Sequence, residues 1–338
     1  MSFRVLGTGM YVPPRVVTND DLSQFLETND EWITQRVGVK ERHISTNETA
    51  ADMGAKAARA ALENSGVAAE EIDLILAASV SGESISPSVS CMIQNLLGLS
   101  CMTMDINAAC SAFDFLLETA AGFFARGKVK KVLVIGAERL SRLLDWNDRG
   151  TAVIFGDGAG AVVLEAGENY LDAVFDVKGG DDVIDIPQPV GMSPFYERGQ
   201  EKKPYIHMAG QETFKFAVTA ICRDCKEILE RNGLTFDDIA YIVPHQANQR
   251  IIDFASTKLK VPKEKFYLNI HKYGNTSSSG MGKTACHSHL LIMEASEILL
   301  HKQSPQLRAS LLGDEEPLPH RGRRSSSPRK RSLITEVK

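Results

Sequence analysis

The chain has 338 residues, of which 43% are apolar and 24% charged, and its formal net charge is −5. This composition excludes a collagenous, disordered or strongly nucleic-acid-binding chain taken as a whole. No stretch is apolar enough for a membrane span and the N-terminus lacks a basic segment before an apolar run, so we expect a cytoplasmic protein without a membrane span.

The first half of the sequence alternates apolar strand-like runs with helical segments. In chain order we predict a strand over 3–12, helices near 19–39, a helix over 49–65, a strand over 73–79, a helix over 88–97, a strand over 102–107, a helix over 111–127 and strands over 131–137 and 151–165. Such alternation is typical of a mostly parallel sheet with helices on both faces. The predicted fold class is therefore α/β.

A repeat divides the chain, because segment 61–75 resembles segment 228–242 at an offset of 167 residues. In both copies an amphipathic helix ends at a glycine and an apolar strand follows, which predicts two α/β halves of similar plan. The second half is predicted to contain a strand over 170–178, an insertion loop over 180–209, a helix over 211–232, a strand over 241–244, a helix over 248–259, a strand over 266–270 and a helix from about 284 to 301.

The C-terminal region departs from the repeat. The offset places the last two strands near 298–304 and 318–332, but residues 303–338 carry eight Lys or Arg against four Asp or Glu, with six serines and four prolines. This composition favours a disordered tail over a nucleic-acid-binding arm. We therefore predict an N-terminal half over 1–168, a C-terminal half over 169–302 that lacks its last strands, and a tail over 303–338.

Three residues form a candidate catalytic set. Cys110 stands where a strand passes into an apolar helix, and the helix N-terminus favours the nucleophilic thiolate. His245 follows a buried strand, where α/β folds place functional groups, and Asn275 precedes the last predicted helix. The offset maps Cys110 onto position 277, so the two loops should face one another. Each residue alone has a structural explanation, but together they suit acyl-thioester chemistry.

Four ordered motifs carry a family resemblance. They are Asp105-Ile-Asn-Ala-Ala-Cys110-Ser, Phe155-Gly-Asp-Gly-Ala-Gly160-Ala, Val243-Pro-His245-Gln-Ala-Asn248 and Tyr273-Gly-Asn275-Thr-Ser. Over about residues 3 to 280 the chain resembles β-ketoacyl-acyl carrier protein synthase III, a condensing enzyme with a duplicated, layered α-β-α-β-α thiolase-like fold. The glycines of the second motif do not open a helix, so a nucleotide-binding loop is not favoured.

The resemblance implies a reaction and a role for each residue of the set. Cys110 takes an acyl group from acyl-CoA, and the malonyl group on acyl carrier protein then loses carbon dioxide. His245 and Asn275 stabilise the resulting enolate, which attacks the acyl-Cys110 thioester. Coenzyme A enters as a thioester substrate, and no permanently bound cofactor or metal is expected.

The resemblance also assigns binding residues. Trp32 and Arg149 match positions that sandwich the adenine of CoA, and Arg36 matches a CoA-contacting basic residue. The basic residues Lys215, Arg250 and Lys258 fall on helices where they could contact an acidic carrier protein, although a purely solvated role explains them equally well.

The family pattern further implies a homodimer with an interface near residues 80–108. The residue before Pro87 lines the partner's acyl pocket in this family, and here it is Ser86, which predicts a roomier pocket. The family closes with two core strands and a Phe-Gly-Gly-Gly-type turn, and that turn is absent from the sequence after Gly280.

Two alternatives stay open at this point. A papain-like cysteine peptidase has the same order of Cys, His and Asn, but the duplication and the 109 residues before the nucleophile argue against it. The second alternative is a catalytically impaired or non-catalytic relative, because of the altered C-terminus. The Cys-x-x-Cys pair Cys222 and Cys225 lies within a predicted helix without a second ligand pair, so a metal site is not favoured.

Overall fold

The computed structural model describes residues 2–175, 179–188, 195, 203–282, 290–294 and 297–301. The elements of the first half are β1 (Ser2–Tyr11), β2 (Val16–Thr18), α1 (Asn19–Ser23), α2 (Asp30–Arg36), β3 (Glu41–His43), α3 (Ala50–Ser65), β4 (Leu74–Ala78), α4 (Val89–Leu97), β5 (Met102–Asp105), α5 (Ala112–Ala125), β6 (Lys131–Arg139), α6 (Arg149–Ala152) and β7 (Asp157–Gly167). Those of the second half are β8 (Tyr170–Phe175), β9 (Ile184–Asp185), β10 (His207–Met208), α7 (Gly210–Arg231), β11 (Tyr241–Pro244), α8 (Gln249–Leu259), α9 (Ile270–Tyr273), α10 (Ser279–Gly282), β12 (Leu290–Glu294) and β13 (Glu297–His301).

Within residues 2–167, five strands form one sheet in the order β1-β7-β6-β4-β5. The pairs β1–β7 and β7–β6 are antiparallel, whereas β6–β4 and β4–β5 are parallel. The parallel strands β4 and β6 are almost wholly buried and apolar, as expected for a sheet that is covered on both faces. Strand β5 forms one edge of this sheet.

The second sheet repeats this plan. Among the described residues of the second half, four strands pair in the order β8-β13-β12-β11. The pairs β8–β13 and β13–β12 are antiparallel and β12–β11 is parallel. A parallel bridge between Ile242 and Phe266 stands where β4 pairs with β5 in the first half. The duplication predicted from the 167-residue offset is therefore confirmed in both strand order and strand direction.

The helices lie in layers between and around the two sheets. Helices α3 and α4 pack on one face of the first sheet, and α5 packs on the other face, where Phe113 and Leu116 are buried. Helix α5 also contacts β13 of the second sheet. In β11, Val243 joins the α5 side while the neighbouring Ile242 joins the α7 and α8 side. Because side chains alternate along a strand, the second sheet is covered on both faces, which gives the thiolase-like layered α/β fold.

The two long helices, α3 and α7, lie where the sequence predicts them. Helix α3 begins at a capping box formed by Thr49 and Asp52, and it ends at Gly66, whose φ of 67° lies in the left-handed region. The predicted span of 49–65 is confirmed within one residue. Helix α7 occupies 210–231 where 211–232 was predicted. Within the described ranges, no helix is both long and apolar enough to cross a bilayer.

The helix predicted from about 284 to 301 is wrong over the part that the structure describes. Residues 290–294 and 297–301 are the strands β12 and β13, so the second half does not lack its last strands. They are five residues long each, whereas their counterparts β6 and β7 have nine and eleven. A short apolar run in a sequence fits a buried helix and a buried strand equally well. Here the parallel pairing of β12 with β11 shows that the run forms a strand.

Other predictions differ locally or lie outside the described residues. The strand predicted over 151–165 starts only at Asp157, because Asp148 caps the short helix α6 through the N–H of Gly150. The strand predicted over 266–270 is reduced to the bridge at Phe266. The predicted tail over 303–338 lies outside the described residues, as does much of the predicted insertion loop.

Candidate active site

Cys110 lies in a short 3-10 turn, Ala109–Ser111, that leads directly into α5. The preceding Ala109 has a φ of 49°, and its N–H donates to Oδ1 of Asn107 over 3.3 Å. A non-glycine residue in this left-handed region is uncommon and is held there by its surroundings. The predicted strand-to-helix position of Cys110 is thus confirmed.

The Cys110 thiol is neutral in the resting site. Burial raises the pKa of Cys110 to about 11, a hydrogen bond from Ser277 opposes this shift, and the charge of Glu138 adds to it. The helix N-terminus led us to expect a favoured thiolate. That expectation is wrong for the resting protein, because desolvation of the charged sulfur outweighs the effect of the helix N-terminus.

The loop that carries Asn275 lies against Cys110. The Ser277 hydroxyl donates to Sγ of Cys110 over 3.4 Å, and the Ser277 N–H donates to Oδ1 of Asn275 over 2.8 Å. Ser277 has a φ of 51°, so this loop also contains a left-handed turn. The Cys and Asn loops therefore face one another across the two halves, as the offset predicts.

Asn275 is fixed by backbone bonds to the start of β7. Its N–H donates to the carbonyl of Ile154 over 2.9 Å, and its own carbonyl accepts from the N–H of Gly156 over 3.0 Å. The two chains approach closely here, since a Cβ on Gly274 would lie 2.7 Å from the Ile154 carbonyl oxygen. The side chain of Asn275 is buried, and it is positioned by both halves of the protein.

His245 follows the end of β11 and is buried. Burial lowers the pKa of His245 to about 4, so the ring is neutral at pH 7. The next residue, Gln246, accepts from the N–H groups of Asn269 and Ile270, each over 3.1 Å, and donates to the carbonyl of Pro244 over 2.8 Å. Gln246 thereby ties the strand end that carries His245 to the segment that leads to Asn275.

Sequence reasoning missed Glu138, a fully buried carboxylate on β6. Burial raises the pKa of Glu138 to about 7, against the opposing effect of its hydrogen bonds. One of its donors is Ser278, the neighbour of Ser277. The available signal was an acidic residue directly after the apolar run 132–137, but nothing in that run indicates which loop the carboxylate meets.

Trp32 and Arg149 are brought together by the fold. The Arg149 guanidinium stacks over the Trp32 ring at 4.6 Å from the ring centroid, and its Nη1 donates to the carbonyl of Glu27 over 2.7 Å. Asn29 caps α2 through the N–H of Trp32. Arg36 is exposed at the end of the same helix, and its carbonyl accepts from Nδ2 of Asn248, the residue that caps α8.

The three candidate carrier-binding residues are exposed on two contacting helices. Lys215 lies on α7, and Arg250 and Lys258 lie on α8. The Arg250 guanidinium lies 5.8 Å from the centroid of Phe214, whose ring meets that of Phe254 edge-on at 6.3 Å. The result is a basic surface with aromatic side chains beside the exposed basic groups.

The remaining candidates are Ser86 and the pair Cys222 and Cys225. Ser86 is exposed in the single chain, and the neighbouring Ile85 is 85% exposed. Cys222 and Cys225 are buried in α7 and belong to the core of the second half. Among the residues that the structure describes, no three His, Cys, Asp or Glu side chains are grouped so that they could hold a metal ion.

Comparison with known proteins gives a consistent family. The family model for 3-Oxoacyl-[acyl-carrier-protein (ACP)] synthase III matches residues 104–182, and the model for the C-terminal part of the same enzyme matches residues 229–289. The Beta-ketoacyl-[acyl-carrier-protein] synthase III of Clostridium acetobutylicum is 46% identical over 282 residues, which cover 82% of this chain and 87% of that protein. The chain belongs to this synthase III family.

Further relatives agree with the synthase III assignment. The enzyme of the same name from Acholeplasma laidlawii is 43% identical over 290 residues, covering 83% of this chain and 88% of the relative. The crystal structure of 3-oxoacyl-[acyl-carrier-protein] synthase III from Aquifex aeolicus VF5 has a TM-score of 0.80 and 38% identity, covering 89% of this chain and all of that one.

Family membership settles the class of reaction. The protein is a condensing acyltransferase of the synthase III type, which initiates fatty acid synthesis. The peptidase alternative receives no support from any of these relatives, and neither does the non-catalytic alternative. Of the catalytic set, Cys110 lies within the first matched segment, and His245 and Asn275 lie within the second.

Proposed function

We propose that the protein condenses the acyl group of an acyl-CoA with malonyl-acyl carrier protein. The Cys110 thiolate attacks the thioester carbonyl of acyl-CoA, and CoA leaves as its thiol with the proton that Cys110 lost. The malonyl group then loses carbon dioxide, and the enolate carbon attacks the acyl-Cys110 carbonyl. A carbon–carbon bond forms, the Cys110 thiolate leaves, and the product is a 3-oxoacyl-acyl carrier protein.

The contact between Ser277 and Cys110 is the observation that carries this proposal. Sγ of Cys110 in one half lies 3.4 Å from Oγ of Ser277, which is in the same loop as Asn275 in the other half. A condensation needs a nucleophile for the acyl group beside hydrogen-bond donors for a second thioester, and the two facing loops supply both kinds of group.

His245 and Asn275 are assigned to the malonyl step. Their N–H groups donate to the thioester oxygen, where negative charge develops as carbon dioxide leaves. Burial lowers the pKa of His245 to about 4, and the neutral ring still carries one N–H that can donate to the thioester oxygen. The backbone N–H of Cys110 is assigned as a donor to the oxyanion of the acyl-transfer step.

The experiment is to incubate the protein with acetyl-CoA and map the acetyl group by mass spectrometry. One acetyl group should be found on the peptide that contains Cys110, and Cys110→Ala should abolish it. Cys91→Ala is the control, because Cys91 is an exposed thiol whose pKa is lowered by hydrogen bonding to Ser88. Label on Cys91 alone would reject the assignment.

A second set of variants tests the division of roles. His245→Ala and Asn275→Ala should retain much of the acetylation of Cys110 but lose decarboxylation of malonyl-acyl carrier protein. Release of carbon dioxide at the wild-type rate by both variants would show that the malonyl step is assigned to the wrong residues.

Trp32, Arg149 and Arg36 are proposed to bind CoA. A purine between an indole and a guanidinium is favourable, and the stacked pair Trp32 and Arg149 lies at an exposed edge. Arg36 lies on the same helix as Trp32, where it could contact a phosphate. CoA is a substrate in this proposal, and no permanently bound cofactor is included.

The basic surface formed by Lys215, Arg250 and Lys258 is proposed to bind the acyl carrier protein. All three side chains are exposed, and complementary charge accelerates the encounter with an acidic partner. Charge reversal at Arg250 should therefore raise KM for malonyl-acyl carrier protein while acetylation of Cys110 by acetyl-CoA stays unchanged.

A homodimer is proposed through the edge of the first sheet. Strand β5 is an edge strand, and Met102 and Met104 on it are 48% and 38% exposed. Exposed edge strands with apolar side chains are typical of interfaces. Sedimentation at micromolar concentration should give twice the chain mass of 37.0 kDa, and a species of the single-chain mass would contradict the dimer.

A further inference from the structure

A buried carboxylate lies behind the nucleophile and has no part in the reaction described above. Glu138 is fully buried near the end of β6. Burying an ionisable group away from water is unfavourable unless its hydrogen bonds are satisfied. Five hydrogen bonds satisfy it, from Ser81 Oγ at 2.5 Å, from the Val80 N–H at 3.1 and 3.2 Å to its two oxygens, from Ser79 Oγ at 3.3 Å and from Ser278 Oγ at 3.3 Å.

These donors come from both halves of the protein. Ser79, Val80 and Ser81 belong to the loop after β4, whereas Ser278 belongs to the loop of Asn275. That loop rests directly on β6, since a Cβ on Gly136 would lie 2.6 Å from the Ser278 carbonyl oxygen. Glu138 therefore joins the loop of the second half to the sheet of the first.

The Ser278 bond is one residue away from the nucleophile. Ser277 donates to Sγ of Cys110, and Ser278 donates to Oε1 of Glu138. Ser277 has a φ of 51°, a conformation that a non-glycine residue keeps only when neighbouring contacts hold it. On one side the Ser277 N–H donates to Oδ1 of Asn275, and on the other side Ser278 anchors the loop.

We propose that Glu138 is a positioning residue for Cys110: it binds Ser278 and so keeps the Ser277 hydroxyl directed at the Cys110 sulfur. This inference rests on the proposed role of Cys110. The same carboxylate also acts through space, because its negative charge opposes formation of a thiolate at Cys110. Glu138 thus has two separable effects on the Cys110 thiol. Its bond to Ser278 positions the Ser277 hydroxyl, and its negative charge raises the pKa of the thiol.

Two serine variants separate a positioning role from a purely structural one. Ser278→Ala and Ser79→Ala each remove one donor at 3.3 Å from the same carboxylate, but only Ser278 is next to Ser277. The probe is iodoacetamide, and the rate of Cys110 alkylation is measured against pH. Ser278→Ala should slow alkylation at pH 8 about fivefold, the effect of one ordinary hydrogen bond, while Ser79→Ala stays within about twofold of wild type.

Glu138→Gln tests the effect of charge. The amide retains an oxygen that accepts from Ser278 but carries no charge, so the pKa of the Cys110 thiol should fall and alkylation at pH 8 should become faster. Other ionisable groups near this end of the sheet are Arg139 next to Glu138, Asp157 on β7, Asp105 at the end of β5 and Arg142, whose Nη1 donates to the Ser81 carbonyl. All of them are unchanged in the variant. A melting curve for each variant confirms that it is folded.

The proposal is overturned if the two serine variants alkylate at the same rate, or if Glu138→Gln leaves the pH profile of Cys110 unchanged. Alkylation requires neither CoA nor carrier protein. A shifted alkylation profile in a protein that acetyl-CoA does not acylate would therefore reject the proposed function while supporting the role of Glu138.

Discussion

Ser277 and Cys110 touch across the boundary between the two halves, and they are 167 positions apart, which is the offset of the internal repeat. Equivalent positions of the duplicated unit therefore meet, one as a thiol and the other as a hydroxyl that donates to it. The site lies where the symmetry of the fold brings two copies of one loop together. In the proposed function, the nucleophile comes from one copy and the carbonyl-binding groups come from the other.

The first prediction concerns that contact. Ser277→Ala removes the hydroxyl that lowers the pKa of Cys110, so the thiolate fraction and the rate of acetylation by acetyl-CoA should fall about fivefold at pH 8. Single-turnover mass spectrometry measures this rate. Ser279→Ala is the matched control, because its hydroxyl donates to the Thr276 carbonyl in the same loop. Equal rates for the two variants would contradict a specific effect of Ser277.

The second prediction concerns the stacked pair Trp32 and Arg149. The Arg149 guanidinium lies 4.6 Å from the centroid of the Trp32 ring. A purine between the two groups needs a stacking distance of about 3.5 Å on each of its faces, so the present gap is too small for it. If the adenine of CoA binds between these two side chains as proposed, Arg149 has to move and its bond to the Glu27 carbonyl breaks. Trp32 fluorescence should change on titration with CoA, measured in a Trp146→Phe background that leaves one tryptophan.

Steady-state kinetics of variants at Trp32 and Arg149 test the same binding site. Trp32→Ala should raise KM for acetyl-CoA about tenfold or more with little change in kcat, since stacking on a base typically contributes ~1–3 kcal/mol. Arg149→Lys keeps the charge but loses the planar group, so it should show part of the same effect. An unchanged KM in Trp32→Ala would place the adenine elsewhere.

The sequence could predict that the loops of Cys110 and Asn275 face one another, but it could not predict the protonation state of the Cys110 thiol. The 167-residue offset relates Cys110 to Ser277 whatever the details of packing, so their proximity follows from the repeat. The pKa of Cys110 depends instead on burial and on Glu138, and both are set by tertiary contacts. Glu138 was not predicted as a site residue, because a single acidic residue at the end of a strand forms no recognisable sequence motif.

The hydrophobic pattern of the sequence explains why the helix predicted from about 284 to 301 was wrong. Helices α3 and α7 were predicted within a residue because they have capping residues or a glycine at their ends and a clear amphipathic pattern. Residues 290–301 form a short apolar run interrupted near its middle, and such a run fits a helix or two strands. Only the pairing of β12 with β11 distinguishes them.

The third prediction concerns a buried acid one turn after the nucleophile. Asp114 on α5 is 1% exposed, and within the described residues neither carboxylate oxygen has a hydrogen-bond partner. Burial raises the pKa of Asp114 to about 8, whereas it is near 4 in an unfolded chain. Between these values the folded state retains a proton that the unfolded state has lost, so the free energy of unfolding decreases as pH rises, by about 1.4 kcal/mol per pH unit.

Asp114→Asn removes this titration. The variant should be more stable than wild type at pH 8 and lose that advantage near pH 4, as measured by urea denaturation at both pH values. Glu230→Gln, at an exposed position on α7, is the control and should change neither value appreciably. A wild-type pH slope in Asp114→Asn would show that Asp114 is ionised in the folded protein.

The fourth prediction concerns the acyl pocket and rests on the proposed dimer. Ser86 is exposed in the single chain, and in the proposed dimer it lines the acyl pocket of the partner subunit. Ser86→Phe should then narrow the range of primer lengths by reducing acylation with primers longer than acetyl. Ser84→Phe adds the same bulk two residues earlier in the loop and is the control. An unchanged chain-length profile in Ser86→Phe would reject the assignment.

The last prediction concerns the short strands of the second sheet. Over the residues that the structure describes, strands β12 and β13 have five residues each against nine and eleven in β6 and β7. Residues 281–338 also lack the Phe-Gly-Gly-Gly-type turn. The resemblance implies that this turn supplies a second oxyanion donor. Replacing 281–338 by the corresponding segment of the Clostridium acetobutylicum relative should raise Tm and, through that donor, increase condensation by about 10²–10³. A chain ending at residue 302 is the control, because it removes the basic tail without lengthening the strands. Equal rates and equal Tm in the chimera and the parent chain would show that the short strands hold the site as well as long ones do.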